Sequence, residues 1–254
     1  MYNMMLGGFV MELMSGVKVR SSLLEDYKEI IENEGLKIAL AIVQVGDNPE
    51  SNKYINNKLK YTDMVGIDSE LYKLPMDISE EEVLKLIDNL NEDEKITGII
   101  LQSPTPSHID FDKCARSIQR EKDVDGFSSE NLFAIRDNHE EILPCTVKGI
   151  LKLLNYYDID IEGKDIVVIG RSNIVGRPLS DALINRNATV TVCHSKTKDL
   201  ASYTKGADIL VSAVGINNII KDNMVKEGAV VIDVGINYTI FTKYCSISIN
   251  TINK

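Results

Sequence analysis

Short runs of valine, isoleucine and leucine recur along this chain, and the stretches between them return apolar residues every three or four positions. LKIALAIVQV (36–45), GIILQ (98–102), DIVVIG (165–170), ATVTVC (188–193), DILVSAVG (208–215) and AVVIDVG (229–235) have the pattern of buried strands. Between them the period is helical. SEEEVLKLIDNL opens at Ser79 with Glu82 three residues on, a capping box ahead of a periodic apolar run. TVKGILKLLNYY begins at Thr146, directly after Pro144-Cys145. From residue 21 onward this alternation predicts βαβ units with mostly parallel sheets, an α/β fold.

The pattern shifts near Pro144. Before it come longer polar helices and the loop SPTPSHIDFDK, and after it a compact run of four short strands. Two βαβ-type domains follow: an N-terminal catalytic domain over 1–144 and a Rossmann-like nucleotide-binding domain over 145–237, with an atypical tail over 238–254. The first half then has to supply the substrate chemistry.

Charge narrows the partners. The formal net charge is −10, which repels nucleic acid and anionic membrane at long range, so an anionic ligand needs a local basic pocket. Cys114, Cys145, Cys193 and Cys245 are widely spaced with no CxxC pair, which argues against a disulfide framework or a zinc site and fits a reducing cytoplasm. The start, MYNMMLGGFVMELMSGVK, carries Glu12 inside its apolar stretch and no Lys or Arg before it, so it reads as a poor signal peptide. No apolar run reaches the roughly eighteen residues of a membrane span.

Several short stretches carry candidate chemistry. GRSNIVGRPLS (170–180) leaves a strand and opens a helix, a turn that aims backbone N–H groups and the positive helix end at a phosphate. Its glycines, Gly170 and Gly176, stand six apart, wider than GxGxxG. The next strand ends in His194-Ser195-Lys196-Thr197 with no acid to hold a ribose hydroxyl, so Ser195 and Arg171 suit a 2′-phosphate and favour NADP over NAD. The same residues also fit a solvated turn. In SNKYINNKLKYTDMVG, Tyr54 and Lys58 are four apart and share a helix face, where a phenol and an ammonium can converge on one reacting atom. Such spacing also occurs by chance on many solvated helix faces. Gln102 ends a strand, where open α/β sheets place ligands, and its amide can orient a lysine. KDVDGF (122–127) is a turn with two aspartates, of which Asp125 could read an amino-pyrimidine. His108 and His139 lack metal-ligand spacing and read as surface residues.

VGDNPESNKYINNK, TGIILQSPTPSHID, KDVDGF, PCTVKGILKLL, VVIGRSNIVGRPLS, ATVTVCHSKT and EGAVVIDVGIN, in this order, resemble the bifunctional methylenetetrahydrofolate dehydrogenase/methenyltetrahydrofolate cyclohydrolase family over residues 36–237. The resemblance implies that Lys58 is the general acid/base, Tyr54 positions substrate, Gln102 tunes Lys58 and Asp125 holds the pterin. It implies NADP held by Gly170, Arg171, Ser172, Ile174, Gly176, Ser195 and Ile236, a folate substrate, and a cytoplasmic homodimer in one-carbon metabolism serving purine synthesis.

The chain also departs from that family. Ser103 and Thr105 stand where QLPLP has two apolar residues, and Val147 replaces the proline after PCT. After IDVGIN the family continues with Pro-Gly-Gly-Val-Gly-Pro-Met-Thr and a terminal helix, whereas this chain ends YTIFTKYCSISINTINK, which reads as a frameshifted or truncated terminus. Losing about four buried apolar side chains at about 1.5 to 3 kcal/mol each predicts impaired turnover. Two alternatives remain open: a non-catalytic NADP-binding or dimerisation module, and a two-domain oxidoreductase of the shikimate dehydrogenase type.

Overall fold

A computed structural model of the chain describes residues 2–6, 9–216, 218–234 and 248–253. In chain order the strands are β1 (Tyr2–Leu6), β2 (Phe9–Met14), β3 (Ala39–Val45), β4 (Asp68–Leu74), β5 (Gly98–Leu101), β6 (Asp165–Ile169), β7 (Thr189–Cys193), β8 (Ile209–Ser212), β9 (Val230–Asp233) and β10 (Ser248–Asn253). The helices are α1 (Gly16–Glu34), α2 (Pro49–Met64), α3 (Glu80–Glu92), α4 (Phe111–Arg116), α5 (Ser129–Arg136), α6 (Cys145–Tyr156), α7 (Gly176–Ile184) and α8 (Leu200–Thr204). Contacts divide the chain into two units, one formed by residues 20–145 and the other by residues 1–19 with 146–254.

The unit formed by 20–145 is built on a parallel sheet of order β4-β3-β5. Central β3 is buried through Ala41, Val43 and Val45, which pack with Val83, Ile87 and Leu90 of α3 and with Ile99 and Leu101 of β5. Apolar residues on both faces of β3 are what a central parallel strand requires. The capping box forms as the sequence predicts: the Ser79 side chain accepts from Glu82 N, and Glu82 accepts from Ser79 N. α2 leaves the carboxyl end of β3 through Gly46, at φ +78. Asn48 then starts the helix by accepting from Glu50 N and Ser51 N, with Pro49 in the first turn.

The second unit carries a sheet of order β1-β2-β10-β9-β8-β6-β7. β7, β6, β8 and β9 run parallel, the four short strands expected after Pro144, with Val167, Ile169, Cys193 and Leu210 in their core. β10 joins β9 antiparallel, and β2 joins β10 antiparallel. Residues 1–19, counted with the first domain from sequence, therefore group with the second, because β2 pairs with β10 rather than with any strand of the other sheet. The tail likewise contributes a sheet strand over Ser248–Asn253. Ile236 lies outside the described residues.

Candidate functional site

In the unit formed by 20–145, the candidate groups come from the carboxyl ends of β3 and β5, where a parallel sheet places its ligands. β5 ends at Leu101, and Gln102 extends the pairing by donating its N–H to Val43 O at 2.8 Å. Its side chain is 9% exposed. Gln102 Nε2 donates to Ser103 O at 2.7 Å, which turns Oε1 toward the lysine, and Lys58 Nζ donates to that oxygen at 3.3 Å. Lys58 stands in the third turn of α2, half-buried. Tyr54 is one turn earlier on the same face and 38% exposed. Buried Ser51 ties the start of α2 to the same loop through an Oγ donation to Ser103 O at 3.4 Å.

Asp125 completes this group. Burial pushes its carboxyl above the usual carboxylate range, while the nearby Lys58 ammonium and the Cys145 thiol, whose Sγ donates to Asp125 Oδ1 at 3.4 Å, pull it back. The arrangement thus joins a lysine, an amide that orients it and a partly desolvated carboxylate. His108 Nε2 lies 2.9 Å from Ile78 O, and exposed His139 is 3.9 Å from Asp137. Among the described residues no group of His, Cys, Asp and Glu is placed to hold a metal ion.

The glycine turn lies in the second unit, between β6 and α7. Gly170 is buried at φ +118, and an added Cβ there would stand 2.7 Å from Ala213 O, so only glycine fits. The six-residue glycine spacing also has a steric cause. A Cβ on Gly176 would come within 2.3 Å of Gly170 O and 2.8 Å of Arg171 Cα, because the start of α7 presses against the exit from β6. Ser172 closes the turn: its Oγ accepts from Val175 N and Gly176 N, and its carbonyl accepts from Arg177 N. Three N–H groups that a bare glycine turn would leave for a phosphate are therefore occupied within the turn.

Exposed Arg171 and Ser195 are level with each other. Ile169 pairs with Cys193 across β6 and β7, and each residue lies two positions beyond that pair. The turn carrying Ser195 is held by His194 N donating to Thr197 Oγ1 at 2.9 Å and by Thr197 N donating to His194 O at 2.8 Å. Ile174 is 43% exposed at the tip of the glycine turn. With two glycines clearing the backbone, a guanidinium and hydroxyls at the strand ends, and no acid there, the residues fit NADP.

Three neighbours escaped the sequence reading: Ser51, Cys145, and Arg177, whose Nε donates to Arg171 O at 3.3 Å. Each lies inside a quoted motif, but its contact forms only when chain-distant backbone is brought together or, for Arg177, when the turn closes.

Residues 14–125 match the tetrahydrofolate dehydrogenase/cyclohydrolase catalytic-domain family, and residues 144–249 match the corresponding NAD(P)-binding-domain family. The bifunctional protein FolD of Aquifex aeolicus is 47% identical over 230 residues, covering 89% of this chain and 79% of its own. The crystal structure of the bifunctional enzyme FolD, a methylenetetrahydrofolate dehydrogenase/cyclohydrolase, from Campylobacter jejuni superposes with a TM-score of 0.84 at 45% identity, covering 89% and 80%. The Trypanosoma brucei methylenetetrahydrofolate dehydrogenase-cyclohydrolase, solved with NADP cofactor and inhibitor, gives 0.81 at 30% identity, covering 94% and 82%. Two matched domains that together span most of the sequence, with relatives close to half identical, place this chain in the tetrahydrofolate dehydrogenase/cyclohydrolase family.

Proposed function

We infer that the chain oxidises 5,10-methylene-tetrahydrofolate to 5,10-methenyl-tetrahydrofolate with NADP and hydrolyses that product to 10-formyl-tetrahydrofolate. The observation that carries the reading is Lys58 donating to a Gln102 amide that is itself fixed by the backbone. NADP, when bound, supplies the hydride acceptor. Arg171 and Ser195 hold its 2′-phosphate, Gly170 and Gly176 give its backbone clearance, and Ser172 and Ile174 line the turn.

In the hydrolytic step the Lys58 amine, in its unprotonated form, takes a proton from the water attacking the carbon between the two folate nitrogens and passes it to the nitrogen whose bond to carbon breaks, while the proton left on the new hydroxyl goes to solvent as the formyl C=O forms. Gln102 Oε1 holds the lysine in line. Tyr54 positions the substrate, and Asp125 accepts hydrogen bonds from the pterin. One site serves both steps because the first product is the second substrate. Membership of the family removes the shikimate-type alternative.

Lys58→Met tests the role given to the lysine, and separate titrations with NADP⁺ and a folate analogue separate the remaining two readings. Cyclohydrolase turnover is expected to fall by at least about a hundredfold while NADP⁺ affinity is unchanged. If hydrolysis survives the substitution, Lys58 does not have this role. If the parent chain binds NADP⁺ but no folate analogue, the non-catalytic module is correct. The reading extends to a cytoplasmic homodimer serving purine synthesis, associating through the nucleotide-binding unit. Its support is the outer edge position of β7 in its sheet, with Val192 of β7 39% exposed and Ile184 of α7 54% exposed.

A further inference from the structure

Asp123 is held more tightly than any role in this chemistry requires. Its side chain is 1% exposed. Oδ1 accepts from Gly126 N at 3.0 Å, and Oδ2 accepts from Ser128 N at 2.6 Å and from Asn131 Nδ2 at 3.0 Å. All three donors follow Asp125 in the chain, so the segment closes into a ring around it. The ring is fastened to β5: Asp123 bridges Ile99, and Val124 lies against Gly98, where an added Cβ would be 2.6 Å from Val124 Cγ1. Lys122 fastens the other side. Its Nζ donates to Leu90 O, Asn91 O and Asp93 O at 3.1, 2.6 and 2.8 Å, a cation at the negative end of α3. Gly126, at φ +71, is pressed against Leu143 and Pro144 backbone.

Asn131 shows what this arrangement serves. It is 1% exposed and gives Nδ2 to Asp123 and to Arg120 O, and its Oδ1 has no hydrogen-bond partner among the described residues. An orphaned buried acceptor is destabilising, and an apolar side chain of similar size would avoid it. Asn131 thus spends both Nδ2 hydrogens on holding Asp123 and the Arg120 carbonyl.

We propose that Asp123 is a positioning residue: clamped by Gly126, Ser128 and Asn131, it fixes the turn that presents Asp125 to the pterin beside Lys58. The proposal rests on the reading of Asp125 given above. Its test is steady-state hydrolysis of 5,10-methenyl-tetrahydrofolate, which consumes no dinucleotide, by the full chain and by Asp123→Asn, Asn131→Ala and Asp125→Asn. Titration with NADP⁺ controls for folding of the other unit.

Asparagine at 123 sets an NH₂ against a backbone N–H. Losing a hydrogen bond to a charged group predicts a KM raised about tenfold in Asp123→Asn and about threefold in Asn131→Ala, with kcat within about twofold. A merely structural role lowers the active fraction instead, reducing apparent kcat at constant KM. That result overturns the proposal, as does an unchanged KM in both variants while Asp125→Asn weakens binding. If Asp125→Asn also leaves KM unchanged, the reading of Asp125 falls and takes the proposal with it. Should Asp123→Asn not fold, Asn131→Ala decides alone.

Discussion

Burial holds the Asp125 carboxyl above its ordinary value of 3.8. The folded chain thus binds that proton more tightly than the unfolded chain, and stability is lost as pH rises from 3.8 through the raised value. Asp125→Asn removes the penalty of burying a charge. It is expected to raise the melting temperature at about pH 7, to change it little near pH 3, and to weaken folate binding; melts at both pH values check the first two. An equal rise at both would show that ionisation is not the cause. Lys58 and Gln102 were legible because each announces its position, one by a four-residue helical spacing and the other by ending an apolar strand. The Cys145 contact was not, since a thiol twenty residues from Asp125 gives no sign that the chain will bring it back.

At the scale of elements, the strands whose two faces are buried were readable as apolar runs, and the N-terminal cap of α3 followed from Ser79 and Glu82. β4 was not expected. Its sequence DSELYKL lies at the edge of its sheet without a fully buried residue, so the hydrophobic signal that marks a strand is missing. α1 was missed for a similar reason: Val19 is its one side chain that is fully buried among those described. The junction of β6 with α7 makes a sharper demand on sequence than either. Gly176→Ala places a methyl group 2.3 Å from Gly170 O, a backbone atom that cannot yield, so α7 must back away from the strand. Overpacking of this kind costs about 1 to 3 kcal/mol, and NADP⁺ affinity is expected to fall with it by at least about tenfold. Calorimetric titration together with thermal melts measures both, and unchanged cofactor affinity would mean that the helix start does not shape the site.

For the whole molecule, the division into two α/β units was readable from the change of pattern near Pro144, whereas the place of residues 1–19 was not. β2 pairs with β10, more than two hundred residues away, and nothing local to the N-terminus encodes that partner. Association through the open edge of β7 predicts a sedimenting mass of about twice 28.3 kDa at micromolar concentration; a single-chain mass would remove the homodimer. A different consequence follows from the way Lys58 meets Gln102. One rides on the helix that leaves β3 and the other extends β5, and these strands are neighbours in register, Val43 beside Leu101. The elements that carry lysine and amide thus start from two paired strands, about 4.8 Å apart, a spacing that backbone hydrogen bonds set. Substitutions on the exposed faces of α2 and α3 are therefore expected to leave the Lys58–Gln102 contact in place.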